Sequence, residues 1–156
     1  MNFYNAYICL NGHVSSSHSE NANASYCKHC GESIINTCPH CNCEIRGDQI
    51  LEGIVGFFPY DPPAYCYNCG KAFPWTERKL EALQELVEFD ENMQQEQKEY
   101  IIKNSPSIVV DTPKSKVVAT KLKAFLSKAS SATASAVRDI IVDVASEAVK
   151  KTIYPD

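Results

Sequence analysis

The chain has 156 residues, a formal net charge of −4 and an apolar fraction of 44%. That length suits one domain, or one small domain with an extension, and no stretch approaches the roughly 20 apolar residues of a membrane span. All eight cysteines fall within residues 1–75, where long aliphatic runs are few, so a metal or disulfides must supply what a small core cannot.

The start of the chain lacks a basic n-region, its first Lys or Arg being Lys28, so no secretory signal is expected and the compartment read from it is cytoplasmic. In a reducing compartment Cys-x-x-Cys turns are expected to hold metal. Charge is unevenly spread. Residues 1–75 carry a net −3, residues 76–104 a net −4 and residues 105–156 a net +3. Thiolate-bound zinc would make the first segment more negative still, which argues against nucleic-acid binding there.

In chain order, Tyr4 to Cys9 alternates loosely and reads as a short strand leading into Cys9-Leu-Asn-Gly12-His13. Val14 to Ser25 is rich in Ser and Asn and reads as an exposed loop. Three Cys-x-x-Cys turns follow, Cys27/Cys30, Cys38/Cys41 and Cys66/Cys69. Each aims two sulfurs at one point, and a Gly or Pro beside the pair relieves the tight backbone. Six ligands are two short of two closed tetrahedral sites, and Cys9 with His13 completes the set. The expected metal ligands are therefore Cys9, His13, Cys27, Cys30, Cys38, Cys41, Cys66 and Cys69, holding two structural Zn2+ per chain.

Three groupings of these pairs are open: sequential, cross-braced (Cys9/His13 with Cys38/Cys41) and nested (Cys27/Cys30 with Cys38/Cys41). The sequential one is preferred because its loop closures are short. Cys43 is needed by neither site and reads as a small buried hydrophobe, with an alternate ligand or a redox thiol as the competing view. His29 and His40, inside the turns, are expected to face solvent. The Arg46-Gly47-Asp48 triplet reads as a turn, and residues 49–65, broken by Gly and Pro, as a hairpin or irregular loop.

At Thr76 the texture changes. Thr76 is expected to cap a helix over about 76–90, with Trp75 in the core. Asn92 and Gln95 have capping-box spacing, so a second helix is expected over 93–104, burying Tyr100 and Ile101. Residues 107–111 read as an extended link. Thr112-Pro113 then starts a helix whose apolar period runs to about 153. Within it, the small residues of Ser127 to Ser135 mark a close contact or a bend, or equally are a solvated stretch that carries no signal. A lone helix of that length cannot bury its own stripe, so it must pack on the preceding helices, on the metal module or on another copy.

The fold class is thus α+β: a double zinc-ribbon module of short β-hairpins over 1–75, then a helical region over 76–156. Tyr7-Ile-Cys9-Leu-Asn-Gly-His13-Val, Cys27-x-x-Cys30-Gly, Cys38-Pro-x-Cys41 with Ile45-Arg-Gly47, Pro63-Ala-Tyr-Cys66-Tyr-Asn-Cys69-Gly-Lys with Phe73-Pro-Trp75-Thr-Glu77, and Asp111-Thr-Pro113 together resemble a family of small bacterial zinc-ribbon proteins catalogued as a domain of unknown function. The resemblance implies the same eight ligands and supplies no activity. The second Cys of Cys41-Asn-Cys43 departs from it and leaves open which thiol completes that turn.

The expected function is a non-catalytic interaction module whose partner is a protein, or a second copy through the C-terminal helix. A transcription-linked, nucleic-acid-associated ribbon is the alternative. Its basic side chains (Lys114, Lys116, Lys121, Lys123, Lys128) do not make one stripe on the helical period. A thiol oxidoreductase or a ligase-like cross-braced domain is less favoured. The thioredoxin-like βαβ setting is missing, and no other catalytic constellation appears.

Overall fold

A computed structural model describes residues 2–18, 24–54 and 58–155. The fold is α+β: small antiparallel sheets first, then five α-helices. The chain divides into two compact units, Met1–Glu77 and Arg78–Asp156. No helix among the described residues is long and apolar enough to cross a membrane.

In the first unit the expected leading strand is two strands, β1 (Phe3–Asn5) and β2 (Tyr7–Cys9), broken at the fully buried Ala6. The Val14 to Ser25 segment is not all loop. Its start is β3 (Val14–Ser16), paired with β2, which also pairs with β4 (Ile34–Ile35). Residues 19–23 of that segment, and 55–57 of the later one, lie outside the described residues.

The Arg-Gly-Asp triplet is not a turn either. It opens β5 (Arg46–Gln49), antiparallel to β1 with Asn5 facing Arg46. Gly47 is there because the Ser17 carbonyl oxygen would lie 2.2 Å from a Cβ at that position. The same carbonyl accepts the Asp48 N–H, and Ser17 Oγ donates to Asp48 at 2.7 Å. The apolar centre is small: Ala6, Ile8, Ile45, Phe73 and Trp75 packed with the sulfurs of Cys38 and Cys66. Trp75, 3% exposed, stacks on Phe73 at 4.7 Å and donates its indole N–H to Pro63.

Helix α1 (Pro74–Phe89) starts two residues earlier than expected, with Pro at its first position. Thr76 is therefore not its cap. It lies in the first turn, buried, and its hydroxyl donates to the Ala64 carbonyl at 3.0 Å. Helix α2 (Gln95–Asn104) starts two residues later than expected. The cause is Asp90, whose carboxylate takes the N–H groups of Asn92 and Met93 at 2.9 and 3.0 Å and holds them as a turn. Ile101 is buried; Tyr100 is half-buried, edge-on to Phe125. The expected extended link is in part a 3-10 turn, Ser105–Ile108, with Ile108 fully buried.

The single long helix expected over 113–153 is three: α3 (Pro113–Leu126), α4 (Ser131–Val144) and α5 (Glu147–Ile153). Thr112 and Ser115 cap the start of α3 reciprocally. Serines break the run afterwards. Ser130 accepts the Thr133 N–H and caps α4; Ser146 accepts the Val149 N–H and caps α5. Folding back at these points lets α5 pack against α3 and buries Val118, Leu122, Val137, Ile141, Val149 and Ile153. A helical period alone reads across such caps, because the apolar phase is kept while the axis turns.

Candidate metal centres

Each Cys-x-x-Cys turn is built the same way. The first Cys donates its N–H to the carbonyl five residues on: Cys27 to Glu32, Cys38 to Cys43, Cys66 to Lys71, each at 2.8 Å. The residue four on returns an N–H to that Cys: Gly31 to Cys27, Asn42 to Cys38, Gly70 to Cys66. That fourth residue sits at positive φ in every case, 76° at Gly31, 60° at Asn42 and 73° at Gly70. Asn tolerates this left-handed backbone and Gly adopts it freely. The Cys9 turn is one residue shorter. Gly12, at φ 91°, donates to Cys9, and Cys9 donates to His13. Its second donor atom is therefore an imidazole nitrogen one position later than a sulfur would be.

These turns bring the eight side chains into two groups, Cys9/His13/Cys27/Cys30 and Cys38/Cys41/Cys66/Cys69, with the donor atoms of each within 4.8 Å of one another. The grouping is the sequential one, not cross-braced or nested. None of the cysteines is in a disulfide. In the second group Cys38 and Cys69 sulfurs lie 3.7 Å apart, as do those of Cys41 and Cys66. In the first, Cys9 and Cys30 are also 3.7 Å apart. His13 Nδ1 lies 3.5 Å from Cys9 Sγ and 3.6 Å from Cys27 Sγ.

A tetrahedron with metal–sulfur bonds of ~2.3 Å has a sulfur–sulfur edge of about 3.8 Å, and with an imidazole bond of ~2.05 Å its sulfur–nitrogen edge is about 3.6 Å. Both donor sets therefore have the dimensions of a four-coordinate metal ion. Backbone and amide donors support the sulfurs: the His13 N–H to Cys9, the His29 N–H to Cys27 and the Asn11 side chain to Cys30.

Without a cation these thiols hold their protons unequally. The Glu32 backbone N–H, with the Asn11 amide, lowers Cys30 to about 6. The Asn68 side chain, with the Cys43 backbone N–H, lowers Cys41 to about 7. Cys69 is pushed up to about 11: the Lys71 backbone N–H lowers it, but desolvation and the hydrogen bonds of Cys38, Cys66 and Cys41 together outweigh that donor. Cys9 is raised, chiefly by burial. In each group one sulfur is thus held below the ordinary thiol value by hydrogen-bond donors and another above it. A cation replaces those protons, so metal affinity must fall with acidity.

A family described as an uncharacterized protein conserved in bacteria, DUF2321, matches residues 2–153. The chain belongs to DUF2321. The match carries the resemblance read from Cys9-Leu-Asn-Gly-His13 through Asp111-Thr-Pro113. No curated protein and no solved structure matches this DUF2321 chain.

The question left by Cys41-Asn-Cys43 is answered by the turn itself. Cys41 joins the four-sulfur group, and Cys43 contributes its carbonyl to the Cys38 N–H. The signal available in the DUF2321 sequence was Asn42, at the place Gly holds after Cys30 and Cys69. Cys43 is half-buried, not buried, and its sulfur hydrogen-bonds Tyr67 Oη at 2.7 Å. Sequence reading missed that contact, since no period links residues 43 and 67. His29 and His40 are exposed, with the His29 ring 5.6 Å from that of His13.

Proposed function

We propose that this protein is a non-catalytic zinc-binding adaptor, in which two structural Zn2+ ions stiffen the first unit for recognition of a protein partner. The carrying observation is the closure of both donor sets: four protein donors at tetrahedral spacing leave no corner for water or substrate. Zinc suits three thiolates with an imidazole, or four thiolates, in that geometry, and brings no redox chemistry. Sequential grouping supports paired ribbons over a ligase-like cross-brace. The acidic balance of residues 1–75 weighs against a nucleic-acid partner.

Elemental analysis of protein purified without added metal tests the first half of this reading, with two zinc per chain expected. Cross-linking capture from the native bacterial host, beside light scattering of the purified chain, tests the second. Two zinc per chain together with no captured protein and a strict monomer would remove the adaptor role.

A further inference from the structure

Arg46 is the single arginine among residues 1–77, and its position is unusual for a cation in an acidic module. It is exposed, yet held. Its guanidinium carbon lies 3.7 Å from the Tyr67 ring centre and 4.9 Å from that of Phe3. Among the described residues it makes no ion pair with a carboxylate, although Glu44 is two residues away. Two rings thus fix the guanidinium while leaving its hydrogen-bonding capacity unspent on any carboxylate.

The scaffold around it is rigid. Tyr67 sits between Cys66 and Cys69, so the second metal group sets its backbone. Cys43 ties its hydroxyl. Tyr60 donates to the Arg46 carbonyl at 2.6 Å. Beside the guanidinium lies an open hollow of about 380 Å3, lined by Asn2, Phe3, Glu44, Arg46, Ile50 and Tyr67 among others. Leu51, Ile54 and Phe58, next along the chain, are also exposed apolar side chains.

We infer that Arg46, held by Phe3 and Tyr67, is the docking point for a single carboxylate on an apolar peptide segment of a protein partner. A fixed guanidinium presents parallel N–H groups that match a carboxylate in fork geometry. One such cation, beside Glu44 and inside a net-negative module, suits one carboxylate and repels a chain of phosphates. The hollow itself is mainly polar, and the exposed side chains of Ile50, Leu51 and Tyr67 at and beyond its rim provide apolar surface for the residues flanking that carboxylate. The occupant is thus an acidic residue between apolar ones, and Cys43 has a role outside metal ligation, as the positioning residue for Tyr67. This rests on the adaptor reading above and adds the chemistry of its partner.

The test is an NMR titration of the 15N-labelled, metal-loaded full chain with an acetylated, amidated Ala-Leu-Glu-Leu-Ala peptide. Shift changes are expected at Phe3, Arg46 and Tyr67. The matched peptide with Gln for Glu should bind about tenfold more weakly, in keeping with a lost charge-assisted fork. Arg46→Gln should abolish the response, and Arg46→Lys should weaken it several-fold, both with the metal content unchanged. Cys43→Ala should weaken it with two metals still bound, which a purely structural cysteine would not do. Equal binding of the Gln peptide, shifts that bypass Arg46, or tighter binding of acetate or inorganic phosphate than of the Glu peptide would each overturn the proposal. Capture of the host partner separates the two readings: a partner retained by Arg46→Gln sinks this inference alone, while no partner at all sinks the adaptor role.

Discussion

The two units reach stability by different routes. The first, Met1–Glu77, has two- to four-residue strands and an apolar centre of few side chains, two of them cysteines that also serve as donors. The second, Arg78–Asp156, has the remaining helices and a run of fully buried aliphatics, Leu83, Val87, Ile108, Val118, Val137, Ile141 and Val149 among them. One is assembled at points, by donor atoms that must converge within 4.8 Å; the other over a surface, by aliphatic packing. The difference teaches where each is vulnerable. Point assembly depends on every donor, and on any cation that the donors hold. Surface assembly degrades in proportion to the methyl groups removed.

The largest separation should come from removing metal. Structural zinc contributes on the order of 10 kcal/mol or more in small ribbons. Chelation with the thiols kept reduced is expected to collapse the dispersed NMR signals of the first unit while the helical circular dichroism of the second persists. A first unit that keeps its dispersion after metal loss would break the comparison.

Single cysteines sharpen it. Cys38→Ser should lower the metal content from two per chain to one and disorder the turns it joins. Cys43→Ser should leave two metals bound, because its sulfur faces Tyr67. Equal metal loss in both variants would show that Cys43 is a ligand after all.

In the second unit, Ile141→Ala, at a fully buried position, should cost about 2–5 kcal/mol of unfolding free energy without changing metal content. Chemical denaturation followed by circular dichroism, beside elemental analysis, checks both parts.

Asp90 should give a smaller effect. It is 2% exposed and accepts four hydrogen bonds, from Asn92 and Met93 on one oxygen and from the Ser130 N–H and hydroxyl on the other. Burial alone would raise its pKa, but the donors outweigh it and hold the carboxyl well below the ordinary range. Asp90→Asn should cost on the order of 2–3 kcal/mol. Because the folded pKa lies below the unfolded one, the folded state binds fewer protons between them. The contribution is present above about pH 4, the ordinary carboxylate value, and is lost as pH falls below it. Thiol donors with ordinary values near 8.5 meet proton competition at higher pH. On acidification the first unit should therefore release metal and unfold before the second loses the Asp90 contribution, as followed by a zinc-sensitive dye and helical circular dichroism. Simultaneous loss would argue against separate routes to stability.

What the sequence by itself determined about this protein is its local chemistry. A Cys-x-x-Cys followed by a residue tolerant of positive φ makes the same turn wherever it occurs, so six of the donor residues were legible from spacing, and Cys9 with His13 only from the count of four that each closed site needs. So was the start of α3, because Thr112-Pro113 caps a helix through neighbours in the chain. Only the tertiary structure decided what depends on residues distant in sequence. Asp90 takes the amide of Ser130, forty positions away, and so shares in ending the long apolar period there; the Ser17 carbonyl demands a glycine at position 47; Cys43 meets Tyr67 and, through it, Arg46. Turn chemistry is written within five residues, whereas a helix break, a close backbone approach or a stacked arginine needs a partner that no period or motif names.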